Sequence, residues 1–146
     1  MHFCDDPGGR AGYHRRNAAR EVGLSVFTVL VVEDEPLIGM DLAETLEERG
    51  LVVVGPCRTE VEALAWLADG RPDVAVLDVH LGGRPTSVLA AALVGRHVPF
   101  VVITGDPPHA LPEAFRAAPY VPKPFDGAVL ATLVRRLAAA RPPDGR

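Results

Sequence analysis

Seven residues near the start of the chain, Val26-Phe27-Thr28-Val29-Leu30-Val31-Val32, narrow its possible folds more than any other feature. They carry no charge and show no alternation of apolar and polar side chains, the pattern of a strand covered on both faces. Strands of that kind belong to parallel sheets, whose crossovers lay helices on each side. The run stops at Glu33-Asp34-Glu35, and Pro36 follows where a first helical residue can be proline. Ile38, Leu42 and Leu46 then recur at helical spacing up to Gly50.

The same unit returns along the chain. Residues 51–54 read as a second strand ending at Gly55-Pro56, and Thr59 with Glu62 forms the signature of a capping box. The helix behind that box carries Val61, Leu64, Ala65 and Ala68 as its apolar stripe and ends at Gly70. Residues 74–77 make a third strand closed by Asp78, and residues 87–95 are apolar enough for a mostly buried helix. Residues 99–103 make a fourth strand closed by Thr104. Tyr120-Val121 is a short fifth strand before Pro122-Lys123-Pro124. Leu130, Leu133, Val134 and Leu137 give the stripe of a closing helix. The alternation predicts an α/β domain, a doubly wound parallel sheet of five strands.

Composition limits the setting. At 146 residues, 48% hydrophobic and 23% charged, the chain resembles a single soluble globular domain. No apolar run approaches the 18 or so residues of a membrane helix, and the N-terminus lacks a secretory h-region. Two cysteines make neither a disulfide scaffold nor a four-ligand zinc site, so a reducing cytoplasm is expected. Residues 1–25 lack apolar periodicity and read as a disordered extension, 26–140 as the domain, and 141–146 as a flexible tail too short for an output domain. Residues 27–140 hold eight Arg and one Lys against fifteen acids, a net of −6. An acidic domain without a basic stripe does not suit nucleic acid; it suits a divalent cation or a basic partner.

Chemistry in an open parallel sheet gathers outside the carboxyl ends of the strands. Those ends present Glu33 and Asp34, then Asp78, then Thr104, then Lys123. Clustered carboxylates repel unless a cation neutralises them, and a hard, partly hydrated ion such as Mg²⁺ fits best. Fourteen of the fifteen basic residues are Arg, so the one lysine, Lys123, singles out a position suited to a compact ammonium. Taken one at a time, these residues are also ordinary helix caps, strand-end hydroxyls and solvated lysines. Together they form one cluster, and no nucleophile elbow, Gly-rich phosphate loop or Cys/His ligand pair competes with it.

Val-Val-Glu-Asp-Glu-Pro at 31–36, the aspartate closing the third strand, Ile-Thr-Gly at 103–105 and Pro-Lys-Pro-Phe at 122–125 resemble the receiver domain of bacterial two-component response regulators, over residues 27–140. The resemblance implies a flavodoxin-like fold with strand order 2-1-3-4-5 and a phosphoaspartate switch. By matching position, Asp78 looks like the phosphoacceptor, served by a sensor histidine kinase or a histidine phosphotransfer protein. Asp34, Asp78 and the His80 backbone carbonyl would bind Mg²⁺, with Glu33, often Asp in the family, acting through water. Thr104 and Lys123 would bind phosphoryl oxygens, Gly105 would leave room for the phosphoryl group, and Tyr120 resembles the aromatic switch residue. The resemblance also implies a cis Lys123–Pro124 bond.

Departures from the family pattern are equally legible. Residues 106–112 carry Pro107, Pro108 and Pro112 where a regular fourth helix is usual, which confines any helix to about 112–117. A shortened, irregular fourth helix is therefore expected. Gly82-Gly83-Arg84-Pro85 replaces the family's Pro-Gly-Met-Asp-Gly, altering the entrance to the third helix. The features around 99–119 resemble stand-alone receivers linked to sensor kinases of the HWE type. Not an enzyme beyond its own phosphorylation and dephosphorylation, the chain is expected to act through an unknown protein target, with no nucleic acid or membrane partner. The alternatives are an aspartyl-phosphate phosphatase, a receiver that binds partners without phosphorylation, and a small cofactor-binding flavodoxin-like protein.

Overall fold

The computed structural model describes residues 26–140; the expected extension 1–25 and tail 141–146 lie outside the described residues. The chain runs β1 (Thr28–Val32), α1 (Pro36–Glu48), β2 (Val52–Cys57), α2 (Glu60–Asp69), β3 (Val74–Asp78), α3 (Ser87–Gly95), β4 (Phe100–Thr104), β5 (Tyr120–Pro122) and α4 (Gly127–Ala140). The five strands form one parallel sheet in the order β2-β1-β3-β4-β5. This is the flavodoxin-like order 2-1-3-4-5. A small hairpin, His80–Leu81 against Arg84–Pro85, stands apart from the sheet after β3.

Every residue of β1 is buried because the sheet is covered twice. Leu30 and Val32 face the layer holding α2 and α3, with Ala63, Leu67, Leu89 and Leu93. Val29 and Val31 face the layer holding α1 and α4, with Leu42, Leu46, Leu130 and Val134. The unbroken apolar run is thus the direct imprint of two cores on one strand.

Three local expectations need correction. The second strand does not stop at Gly55-Pro56 but continues to Cys57, through a register irregularity opposite Leu30 and Val32. Gly55 makes this possible: at φ +106° an added Cβ would lie 2.5 Å from the Val31 carbonyl oxygen. The stripe of α2 is Ala63 and Leu67, whereas Val61, Ala65 and Ala68 are exposed. In α3 only Leu89, Ala90 and Leu93 are buried, and Val88 and Val94 face outward. Between β4 and β5 the shortened fourth helix is reduced to 3₁₀ turns at Pro108–Ala110 and Glu113–Phe115, without an α-helical turn. Leu111 and the fully buried Phe115 fasten this segment, with Phe115 edge-on to Phe100 at 6.5 Å.

The α2 cap forms, with Thr59 Oγ1 accepting from the Glu62 amide at 3.1 Å. The Glu62 carboxylate accepts from Arg58, one residue before the cap. At α3 the cap position falls to Thr86, but its hydroxyl donates instead to the carbonyls of Asp78 and Val79 at 3.0 and 3.1 Å. Glu60 of α2 takes over, accepting from the Leu89 amide at 2.9 Å. Glu60→Ala should therefore cost about 1 kcal/mol, the usual value of a lost cap; an unchanged urea midpoint would refute that cross-helix role.

His97, just past α3, adopts φ +57°, a conformation disfavoured for a residue with a Cβ. Its amide donates to the Val94 carbonyl at 3.0 Å, a helix-ending bond any residue there can make. His97→Gly is expected to stabilise the fold by roughly 0.5–1 kcal/mol, after allowing for the freer unfolded chain. A lower melting temperature for that variant would contradict this. Among the described residues no helix is long and apolar enough to cross a membrane.

Candidate functional site

The carboxyl edge of the sheet assembles the site because three adjacent strands end there in register. Glu33 and Asp34 follow β1, Asp78 closes β3 next to β1, and Asp78 stands opposite Ile103 in the β3–β4 pairing, one residue short of Thr104. Thr104 in turn pairs with Pro122 of β5, and its carbonyl accepts from the Lys123 amide at 2.9 Å. Lys123 is thereby delivered back over the acids. Its Nζ donates to Asp78 Oδ2 at 3.0 Å and to Glu33 Oε2 at 3.3 Å. The Lys123–Pro124 bond is cis, as the resemblance implies; the Gly55–Pro56 bond is cis as well.

Glu33, Asp34 and Asp78 each turn a carboxylate oxygen to a common point, all within 4.8 Å of one another. Glu33 is the buried member, at 1% exposure. Burial first, and then the neighbouring Asp78 charge, push its carboxyl up to about 7, against the opposing pull of Lys123. Burial pulls Lys123 down, but its bonds to Asp78 and Glu33 outweigh that and raise it. The ammonium is held charged. One ammonium facing three carboxylates leaves negative charge uncompensated. An all-oxygen donor set with surplus charge is what a hard divalent cation requires, so the residues fit Mg²⁺.

The remaining residues frame this cluster. Asp78 Oδ1 accepts from the His80 amide at 3.2 Å, and Asp34 Oδ2 accepts from the Gly82 amide at 3.0 Å. Gly82 and Gly83 turn the hairpin at φ +59° and +78°, the geometry of a tight two-residue loop. Among the described residues a Cβ placed on Gly105 meets nothing within 4 Å, so none of them demands glycine there. Thr104 is buried, its Oγ1 accepting from the Asp106 amide at 3.0 Å. Tyr120 is half-buried, its hydroxyl donating to the Asp106 carbonyl at 3.3 Å. The His80 ring is partly exposed, and its Nδ1 lies 3.6 Å from Asp106 Oδ2.

The structure thus gathers Glu33, Asp34, Asp78, His80, Thr104 and Lys123 at one sheet edge, with Gly105 and Tyr120 joined to them through the turn at 105–106. Sequence reasoning missed Gly82, Thr86 and Asp106. The Gly-Gly pair could have announced a hairpin, but which acid its amide would meet depends on the packing.

An acidic cluster facing a lysine at the carboxyl edge of a 2-1-3-4-5 sheet defines a class, the signalling receivers. A family model for the response regulator receiver domain matches residues 29–135, and the chain belongs to that family. It is 37% identical over 101 residues to the transcriptional regulatory protein PdtaR of Mycobacterium tuberculosis, covering 66% of this chain and 49% of that protein. It is 33% identical over 122 residues to the phyllosphere-induced regulator PhyR of Methylorubrum extorquens, covering 80% and 46%. The chain spans about half the length of the curated relatives it matches. Among solved structures, the BeF3-activated conformation of SdrG from Pseudomonas melonis Fr1 shares 40% identity at a TM-score of 0.66, covering 76% of this chain and 95% of that one.

Proposed function

We propose that this chain is a phosphorylatable switch of a two-component system, with Asp78 as phosphoacceptor. The observation that carries the reading is the Asp78 carboxylate held at 3.0 Å by Lys123 within a cluster of acids. An Asp78 oxygen attacks the phosphorus of a phosphohistidine on a sensor kinase or phosphotransfer protein. The new O–P bond forms as the P–N bond breaks, and the imidazole leaves with the electron pair. Lys123 neutralises charge on the transferred oxygens, and the Thr104 hydroxyl, at the end of the neighbouring strand, would join it. Gly105 leaves the approach open. Glu33, Asp34, Asp78 and the His80 carbonyl would hold Mg²⁺, which when bound supplies further charge neutralisation at the phosphoryl group.

The receiver unit is proposed to be residues 26–140, and the protein to work in the cytoplasm through protein–protein contact, without nucleic acid or membrane. The anti-anti-sigma factor PhyR of Bartonella quintana, 29% identical at a TM-score of 0.67, supports an output through a protein partner. The phosphatase reading is disfavoured because His80, not an acid, stands two residues after Asp78. A receiver working without phosphorylation has no use for a complete acidic cluster with its lysine.

The test is incubation of the whole chain with acetyl phosphate and Mg²⁺, followed by intact mass. A gain of one phosphoryl group, prevented by EDTA, is expected. An unchanged mass in the presence of Mg²⁺ would overturn the reading.

A further inference from the structure

Asp106 belongs to no motif in the sequence, yet it touches the site at three points. Its amide donates to Thr104 Oγ1 at 3.0 Å, its carbonyl accepts from the Tyr120 hydroxyl at 3.3 Å, and its carboxylate lies 3.6 Å from His80 Nδ1. The first two contacts are made by backbone atoms and travel with the turn at 105–106. Only the third ties that turn to another loop, the one following Asp78. Among the described residues nothing regular braces the turn from behind, since a Cβ on Gly105 meets no atom within 4 Å and Pro107 and Pro108 lead into a single 3₁₀ turn.

We infer that Asp106 is a positioning residue that clasps the switch in its resting form: its side chain, engaged by His80, keeps the Thr104 and Tyr120 hydroxyls on the Asp106 backbone. The inference rests on the phosphorylation reading above. On this reading the Thr104 side chain, drawn to a phosphoryl oxygen on Asp78, turns and gives up the Asp106 amide. The turn then shifts, the carbonyl leaves Tyr120, and the carboxylate leaves His80. Three contacts centred on one residue are lost together, which makes the change two-state rather than gradual. Because the His80–Asp106 contact is about half exposed, its loss should change the resting-to-activated ratio only about two- to fivefold.

The experiment follows the ring signals of ¹³C-labelled tyrosine in the whole chain, with Tyr120→Phe assigning Tyr120. Spectra are taken with and without Mg²⁺ and beryllofluoride, which stands in for the phosphoryl group. Asp106→Ala and His80→Ala, the latter retaining its backbone carbonyl, are expected to move the Tyr120 signal toward the beryllofluoride position before any beryllofluoride is added. Asp106→Asn, which keeps an oxygen for the imidazole, is expected to stay near the parent. If the parent responds to beryllofluoride while both Ala variants remain at the resting position, the clasp is overturned and the switch reading stands. An Asn variant displaced as far as Ala overturns it too. A parent that does not respond at all removes the switch reading itself, and the clasp with it.

Discussion

Asp78→Asn is expected to gain no phosphoryl group under conditions in which the parent is fully labelled. The amide lacks the nucleophilic oxygen, and the other carboxylates cannot replace it. Glu33 is buried, with its carboxyl engaged by Lys123 and by the Glu35 amide at 3.2 Å. Asp34 has an oxygen committed to the Gly82 amide. The rate should fall by at least ~100-fold, equivalent to about 3 kcal/mol of barrier, while the fold survives the nearly isosteric change. The same substitution removes the second contributor to the elevation of Glu33, so that group should ionise at lower pH. Labelling that persists in Asp78→Asn, read by intact mass, would place the acceptor elsewhere.

Without divalent cations, the stability difference between the parent and Glu33→Gln should depend strongly on pH. The Glu33 carboxyl rises from 4.5 to about 7 on folding, through burial first and the charge of Asp78 second. Its protonated form therefore favours the folded chain. That contribution is complete below 4.5 and disappears as pH climbs through about 7, because over this window the folded state holds a proton the unfolded state has released. The shift corresponds to a ceiling of ~3 kcal/mol. Mg²⁺ bound at the ionised carboxylates would restore the lost stability near neutral pH, growing with the logarithm of its concentration once the site fills. Urea melts of both proteins across pH 4–8, in EDTA and in Mg²⁺, check this. A difference that stays flat in EDTA would show that Glu33 takes up its proton at the same pH folded and unfolded, and would overturn the elevation.

The sequence by itself determined the architecture and which strand ends carry the acids, the hydroxyl and the lysine. A strand buried on both faces must be apolar at every position, so β1 declared a doubly covered sheet, and the topology rule placed the chemistry at its carboxyl edge. Asp78, Thr104 and Lys123 were legible because each ends a strand or follows one directly. Helix faces were less legible wherever alanine filled the stripe. In α2, Ala65 and Ala68 are as apolar as Ala63, and only packing against the sheet shows that Ala63 and Leu67 point inward. The second strand's passage through Gly55-Pro56 likewise depends on its neighbour, since the irregularity is defined against β1.

Tertiary structure alone decided the partners. That Glu60 caps a helix other than its own, that a hairpin amide meets Asp34, and that Asp106 meets Tyr120 and His80 are contacts between segments 14 to 48 residues apart. Local propensity and periodicity act over a turn or two of chain, whereas a hydrogen bond of this kind requires two loops to be brought within about 3 Å. Only the assembled sheet fixes that distance.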